Sequence, residues 1–113
     1  MSKTLGSVML NPNDPFEKLL ITIVELNRKK RADYANDDNI YLNFDRVSDM
    51  TGYEVQSVLE VMIGIKTARI RNLVDLEDEG KLPSNEGLID SRLDRATYCI
   101  LDYGIALRDQ EAS

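Results

Sequence analysis

Residues 55–73 read VQSVLEVMIGIKTARIRNL, and the spacing of their apolar side chains decides the fold. At about 100° per residue, Val55, Leu59, Met62, Ile63, Ile70 and Leu73 fall on one side of a helix. No convincing period-two pattern occurs in this run or elsewhere, so the chain is predicted to be all-α. Lys66 lies inside the apolar arc, with Arg69 at its margin. Burying an unpaired ammonium is costly, so Lys66 calls for an anionic neighbour: a carboxylate from another helix, or a bound phosphate.

Working outward, Asp14 is a candidate N-cap, followed by Pro15 at the first helical position and Glu17 in the first turn. The helix is expected to run to about Tyr34. Its inward stripe begins as Phe16, Leu20 and Ile23 and continues as Asn27, Lys30 and Tyr34. Either the helix leaves the core halfway, or its second half lines a polar pocket. After an acidic, Asn-rich loop from Ala35 to Asn39, the spacing of Ile40, Phe44, Val47 and Met50 predicts a short helix ending near Thr51-Gly52. The Lys66 helix follows, from Glu54 to about Leu73, with Gly64 as an internal weak point. Residues Asp75 to Asn85 read as a solvated connection.

The last helix is expected from about Glu86 to Asp109, capped by Ser84 or Asn85. Its broad apolar arc is Ile89, Leu93, Ala96, Ile100, Gly104 and Leu107, widened by Leu101 and Ile105. Asp90 and Asp94 sit inside the edge of this arc, one turn apart, while Ser91, Arg92, Arg95 and Asp102 take the opposite face. The expected architecture is a helical bundle of three long helices and one short helix. Residues 1–14 form an irregular N-terminal segment, 15–109 a single all-α domain and 110–113 a tail. Arcs this wide expose more apolar surface than so small a bundle covers, so homo-oligomerisation is expected to complete it.

Composition narrows the chemistry. Twenty acidic against fourteen basic residues give a formal charge of −6, which argues against non-specific binding to nucleic acid or to an anionic membrane. A compact acidic protein can instead mimic nucleic acid or hold a divalent metal. The single Cys99 excludes an internal disulfide framework and fits a reducing cytoplasm. Histidine is absent, so any catalysis must use carboxylates, lysine or metal-bound water. No apolar run approaches the roughly 20 residues of a membrane span, and the N-terminus lacks a signal pattern, so a cytoplasmic location is expected.

Three groups carry candidate chemistry. In the run Arg28-Lys29-Lys30-Arg31, only Lys30 or Arg31 can share a pocket with Asn27 and Tyr34. The alternative is a solvated last turn that complements the helix dipole. Asp90 and Asp94 suit Mg²⁺, whose remaining ligands would be water and substrate phosphate, or they pair with Lys66 or Arg69. Lys66 with Arg69 is either a phosphate clamp or part of a salt-bridge network that fixes helix register. Tyr98, one turn beyond Asp94, is placed to hydrogen-bond a carboxylate or stack on a base.

The order Arg31-Ala32-Asp33-Tyr34-Ala35, Asn43-Phe44, Lys66-Thr67-Ala68-Arg69, Asp90 and Asp94-Arg95-Ala96-Thr97-Tyr98 resembles a known family. It is that of the small, largely phage-borne all-α proteins related to nucleotide-modification-associated and MazG-like nucleoside triphosphate pyrophosphatase domains. The resemblance spans about Asn27 to Leu107. It implies a compact, usually oligomeric helical fold that binds or acts on nucleotides in the host cytoplasm, with Mg²⁺ held by carboxylates in the pyrophosphatase branch. Carried onto this chain, it makes Asp90 and Asp94 the acidic, metal-holding positions and Lys66 and Arg69 the phosphate-facing cations; the chain's own pattern adds Lys30 or Arg31 as a further phosphate contact. Tyr34 and Tyr98 would line the pocket. The chain departs from the pattern at Ala35, where glycine is usual, and lacks the E-x-x-E and E-x-x-D pairing of MazG-type helices.

Two functions follow as expectations. One is nucleotide binding, extending to Mg²⁺-dependent cleavage of a nucleoside triphosphate to monophosphate and pyrophosphate. The other is a non-enzymatic acidic helical oligomer that binds a host protein or sequesters a nucleotide signal. In the second, Lys66 pairs with Asp90 or Asp94 as an internal strut.

Overall fold

The computed structural model describes residues 4–5, 8–32, 41–81 and 86–112. The fold is all-α, as the periodicity predicts. Its helices are α1 (Pro15–Ala32), α2 (Leu42–Thr51), α3 (Val55–Asp78) and α4 (Glu86–Ala112). Ahead of α1, in the segment expected to be irregular, Thr4–Leu5 (β1) pairs antiparallel with Val8–Met9 (β2), Thr4 opposite Met9 and Leu5 opposite Val8. Internal contacts divide the chain into two units, residues 1–40 and 41–113.

In the first unit, α1 starts where the sequence places it. Asp14 Oδ1 accepts hydrogen bonds from the backbone N–H groups of Phe16 and Glu17, both at 3.0 Å. These are two of the unpaired donors at the helix start, and Glu17 reaches back to accept from the N–H of Asn11, ahead of the helix, at 3.1 Å. Toward the polar end of the helix, Asn27 donates its side-chain amide to the Ile23 carbonyl at 3.0 Å. Phe16 and Leu19 are exposed, and Lys30 is half-buried. Tyr34 and the side chain of Arg31 lie outside the described residues.

In the second unit, both helix ends that the structure describes stop on glycine. Gly52 takes the left-handed conformation (φ 79°) after α2, and its N–H donates to the Ser48 carbonyl. After α3 comes a Schellman turn: Gly80 (φ 70°) donates to Glu77 O, and Lys81 donates to Leu76 O, both at 2.9 Å. This turn corrects the sequence reading, which ended the helix near Leu73 and treated Asp75 onward as a connection. Val74 and Leu76 are half-buried, so the apolar side continues past the acidic residues until glycine closes the last turn.

Helices α3 and α4 run antiparallel. Lys66 meets Asp94, Arg69 meets Ser91, and Leu73 lies 3.9 Å from a β-carbon built on Gly87. As α3 advances through 66, 69 and 73, α4 recedes step for step. The same register sets Val55 level with Ile105, and both line one open pocket. Eighteen residue steps of contact correspond to a seam of about 27 Å. Helix α2 packs on α3, and α2 with the residue just before it touches α4 through two aromatic side chains described below. The buried apolar side chains among the described residues are Val58, Leu59, Ile70 and Ile105. Each contributes roughly 1.5–3 kcal/mol by leaving water.

Candidate functional site at the α3–α4 seam

Extended by their three- and four-residue spacing, the contacts at 66–94, 69–91 and 73–87 define two matched heptad series. On α3 the seam positions are Val55, Leu59, Met62, Lys66, Arg69 and Leu73, and on α4 they are Ile105, Leu101, Tyr98, Asp94, Ser91 and Gly87. Both series step by four and three in alternation, the spacing of a helix pair that interlocks along a single stripe. The seam is apolar at the start of α3 and polar toward its end.

Lys66 supplies the first polar layer. Its Nζ stands 3.1 Å from Asp94 Oδ2, with the two side chains 22% and 28% exposed. The anionic neighbour that the sequence demanded is therefore Asp94, supplied by the facing helix. Asp90, one turn away on α4, is exposed. In the next layer, Arg69 Nε donates to Ser91 Oγ at 3.1 Å. Ser91 is only 3% exposed, whereas Arg69 as a residue is exposed. Beside these layers, Arg95 Nη1 donates to Thr67 Oγ1 at 3.5 Å. Three cations thus lie along the polar half-seam, one on a carboxylate and two on hydroxyl groups.

The α4 stripe expected to face the core meets α3 only along one edge, at Ile105 and Asp94. Ile89 and Ile100, placed inward by periodicity, are exposed, whereas Ser91 and Arg95, placed outward, hold α3. Asp102, also placed outward, is half-buried, and its Oδ1 is enclosed without a hydrogen-bond partner among the described residues. The signal that locates Ser91 is the matched heptad spacing of the two helices rather than the hydrophobicity of either one.

Tyr98 packs edge-on against Phe44 of α2, with ring centroids 5.8 Å apart and planes at 89°, so it ties α2 to α4. A residue without any candidate role in the sequence makes the second tie. Tyr41, just before α2, donates its hydroxyl to the Leu101 carbonyl at 3.5 Å, and the Arg108 guanidinium covers its ring at 5.6 Å. This approach requires Gly104, because a β-carbon there would overlap the Tyr41 hydroxyl.

At the apolar end of the seam, Glu54, Val55, Gln56, Ile105, Arg108 and Asp109 line an open pocket of about 320 Å³. Among the described residues, no three Cys, Asp or Glu side chains gather into a group that could hold a metal ion. Of the two carboxylates expected from the sequence to hold Mg²⁺, Asp90 is exposed and Asp94 is engaged by Lys66. No described helix is long and apolar enough to cross a membrane. Comparison with family models, curated proteins and solved structures finds no match to this chain.

Proposed function

We propose that the protein is a non-enzymatic, acidic helical oligomer that acts by binding another protein, with the Lys66–Asp94 pair as an internal strut. The supporting observation is the direct 3.1 Å ion pair, flanked by Arg69 on Ser91 and Arg95 on Thr67. A phosphate clamp keeps its cations for the ligand. Here the facing helix provides an acceptor for each. Polar layers inside an otherwise apolar heptad seam discriminate against slipped pairings, because a shift by one turn strands a charge against apolar neighbours. The resemblance to phage-borne proteins makes a host protein the proposed partner and the host cytoplasm the proposed place of action.

A second reading is nucleotide binding, with Mg²⁺-dependent pyrophosphohydrolysis as its enzymatic form. It is favoured by one feature: in a chain of net charge −6, the polar half-seam sets Lys66, Arg69 and Arg95 against the single seam carboxylate of Asp94. That local excess of positive charge suits a phosphate. Lys66, Arg69 and Arg95 would contact it, and Asp90 with Asp94 would hold the metal once Asp94 exchanged its partner.

Thermal unfolding of the unmodified chain and of Lys66→Met, with and without nucleotides and Mg²⁺, separates the two. The strut reading expects no nucleotide to raise the melting temperature, and Lys66→Met to remain folded. A rise seen only in the unmodified chain would transfer Lys66 to a ligand site. If that rise also required triphosphate and Mg²⁺ and came with pyrophosphate release, the protein would be an enzyme.

A further inference from the structure

The outer face of α4 carries an apolar stripe that its own unit leaves open. Ile89 is 67% exposed, Ile100 47%, Tyr103 65% and Leu107 38%, with Ala96 half-buried among them. At about 100° per residue this stripe lies roughly 170° from the seam that meets α3. Between Arg92 and Arg108, the exposed residues of α4 are Cys99, Ile100, Tyr103, Ala106 and Leu107, and none is charged. Such a gap is unusual in a chain in which 30% of residues are charged. The four large side chains expose about 400 Å² of apolar surface, a patch as large as functional ones on monomeric proteins.

We propose that this face is a homodimer interface in which α4 packs antiparallel on α4 of a second copy. The inference rests on the oligomeric reading above and names its surface. Apart from Ile89, the stripe is self-complementary about a point between Leu101 and Asp102. A two-fold axis there sets Ile100 against the second copy's Tyr103, and Ala96 against its Leu107, a small side chain facing a large one in each symmetric half. The same register sets Arg92 against Glu111, both exposed, at either end of the uncharged stretch. Two symmetry-related ion pairs then bracket an apolar centre, and a slipped or parallel pairing loses both. Pairing Ile100, Tyr103 and Leu107 with their symmetry mates covers roughly 600 Å² in total before flanking Leu93 and Ala106 are counted, the size of a weak, reversible interface.

Sedimentation of the full chain at tens of micromolar tests this. The unmodified protein should sediment as a dimer, and Ile100→Glu as a monomer of unchanged helical content. Ile65→Glu, on the exposed side of α3, should leave the dimer intact. Arg92→Glu should weaken the dimer about tenfold through its two symmetric pairs, and adding Glu111→Arg should restore it. A dimer that resists Ile100→Glu, or a charge swap that gives no rescue, overturns the interface while leaving the oligomer. A monomeric unmodified chain overturns both readings. If Ile100→Glu also lowered that monomer's melting temperature, the stripe would belong to an intramolecular occupant such as the Phe16 face of α1.

Discussion

Lys66 and Gly104 show how far individual residues can be read. A lysine inside an apolar arc implies a counter-charge from elementary solvation, and the facing helix supplies it as Asp94. Choosing Asp94 over Asp90 needs the rotation of α4 about its axis, which hydrophobicity alone does not specify. Gly104 has no such signature: in sequence it is another small member of an apolar arc. Its role depends on Tyr41, more than sixty residues away, whose hydroxyl lies where a β-carbon would be. Gly104→Ala alone should therefore destabilise the fold by about 1 kcal/mol, as steric displacement and the lost hydroxyl contact outweigh the helix propensity of alanine. In a Tyr41→Phe background the same substitution should become stabilising by a similar amount. Denaturant unfolding of the four proteins measures this sign change, and additive effects would remove Tyr41 from the argument.

At the scale of the helix, the existence of each element follows from local chemistry. Asp14 and Pro15 start α1, glycine stops α2 and α3, and apolar periodicity fills the lengths between. Orientation is harder, because α4 carries two stripes with similar spacing and the more apolar of them faces outward. What selects the other is its match to α3, layer by layer, including the two polar layers. That choice belongs to a pair of helices. Gly64 is a contrasting case, since it lies in the interior of α3 with nothing within 4 Å of a β-carbon built there. Gly64→Ala should stabilise the protein by about 1 kcal/mol and raise its melting temperature by several degrees. A loss of stability in calorimetry would mean that this exposed side of α3 is covered.

At the scale of the whole molecule, the small number of buried apolar side chains among the described residues stands against the many large ones that are exposed, from Phe16 to Leu107. The width of the apolar arcs made this surplus legible in the sequence, although not which helix face would carry it. A polar half-seam suits such a molecule, because a hairpin with a modest core gains from contacts that hold one register rather than several of similar energy. The central claim is that Lys66 and Asp94 brace α3 against α4 as parts of one folding unit. Its most direct measurement is a double-mutant cycle on global unfolding, using Lys66→Met, Asp94→Leu and the pair together. Each single change should cost about 1 kcal/mol by removing the counter-charge of a half-buried partner. The double variant should return to the stability of the unmodified chain or exceed it. Single and double effects that simply add, with no coupling between the two positions, would contradict the strut.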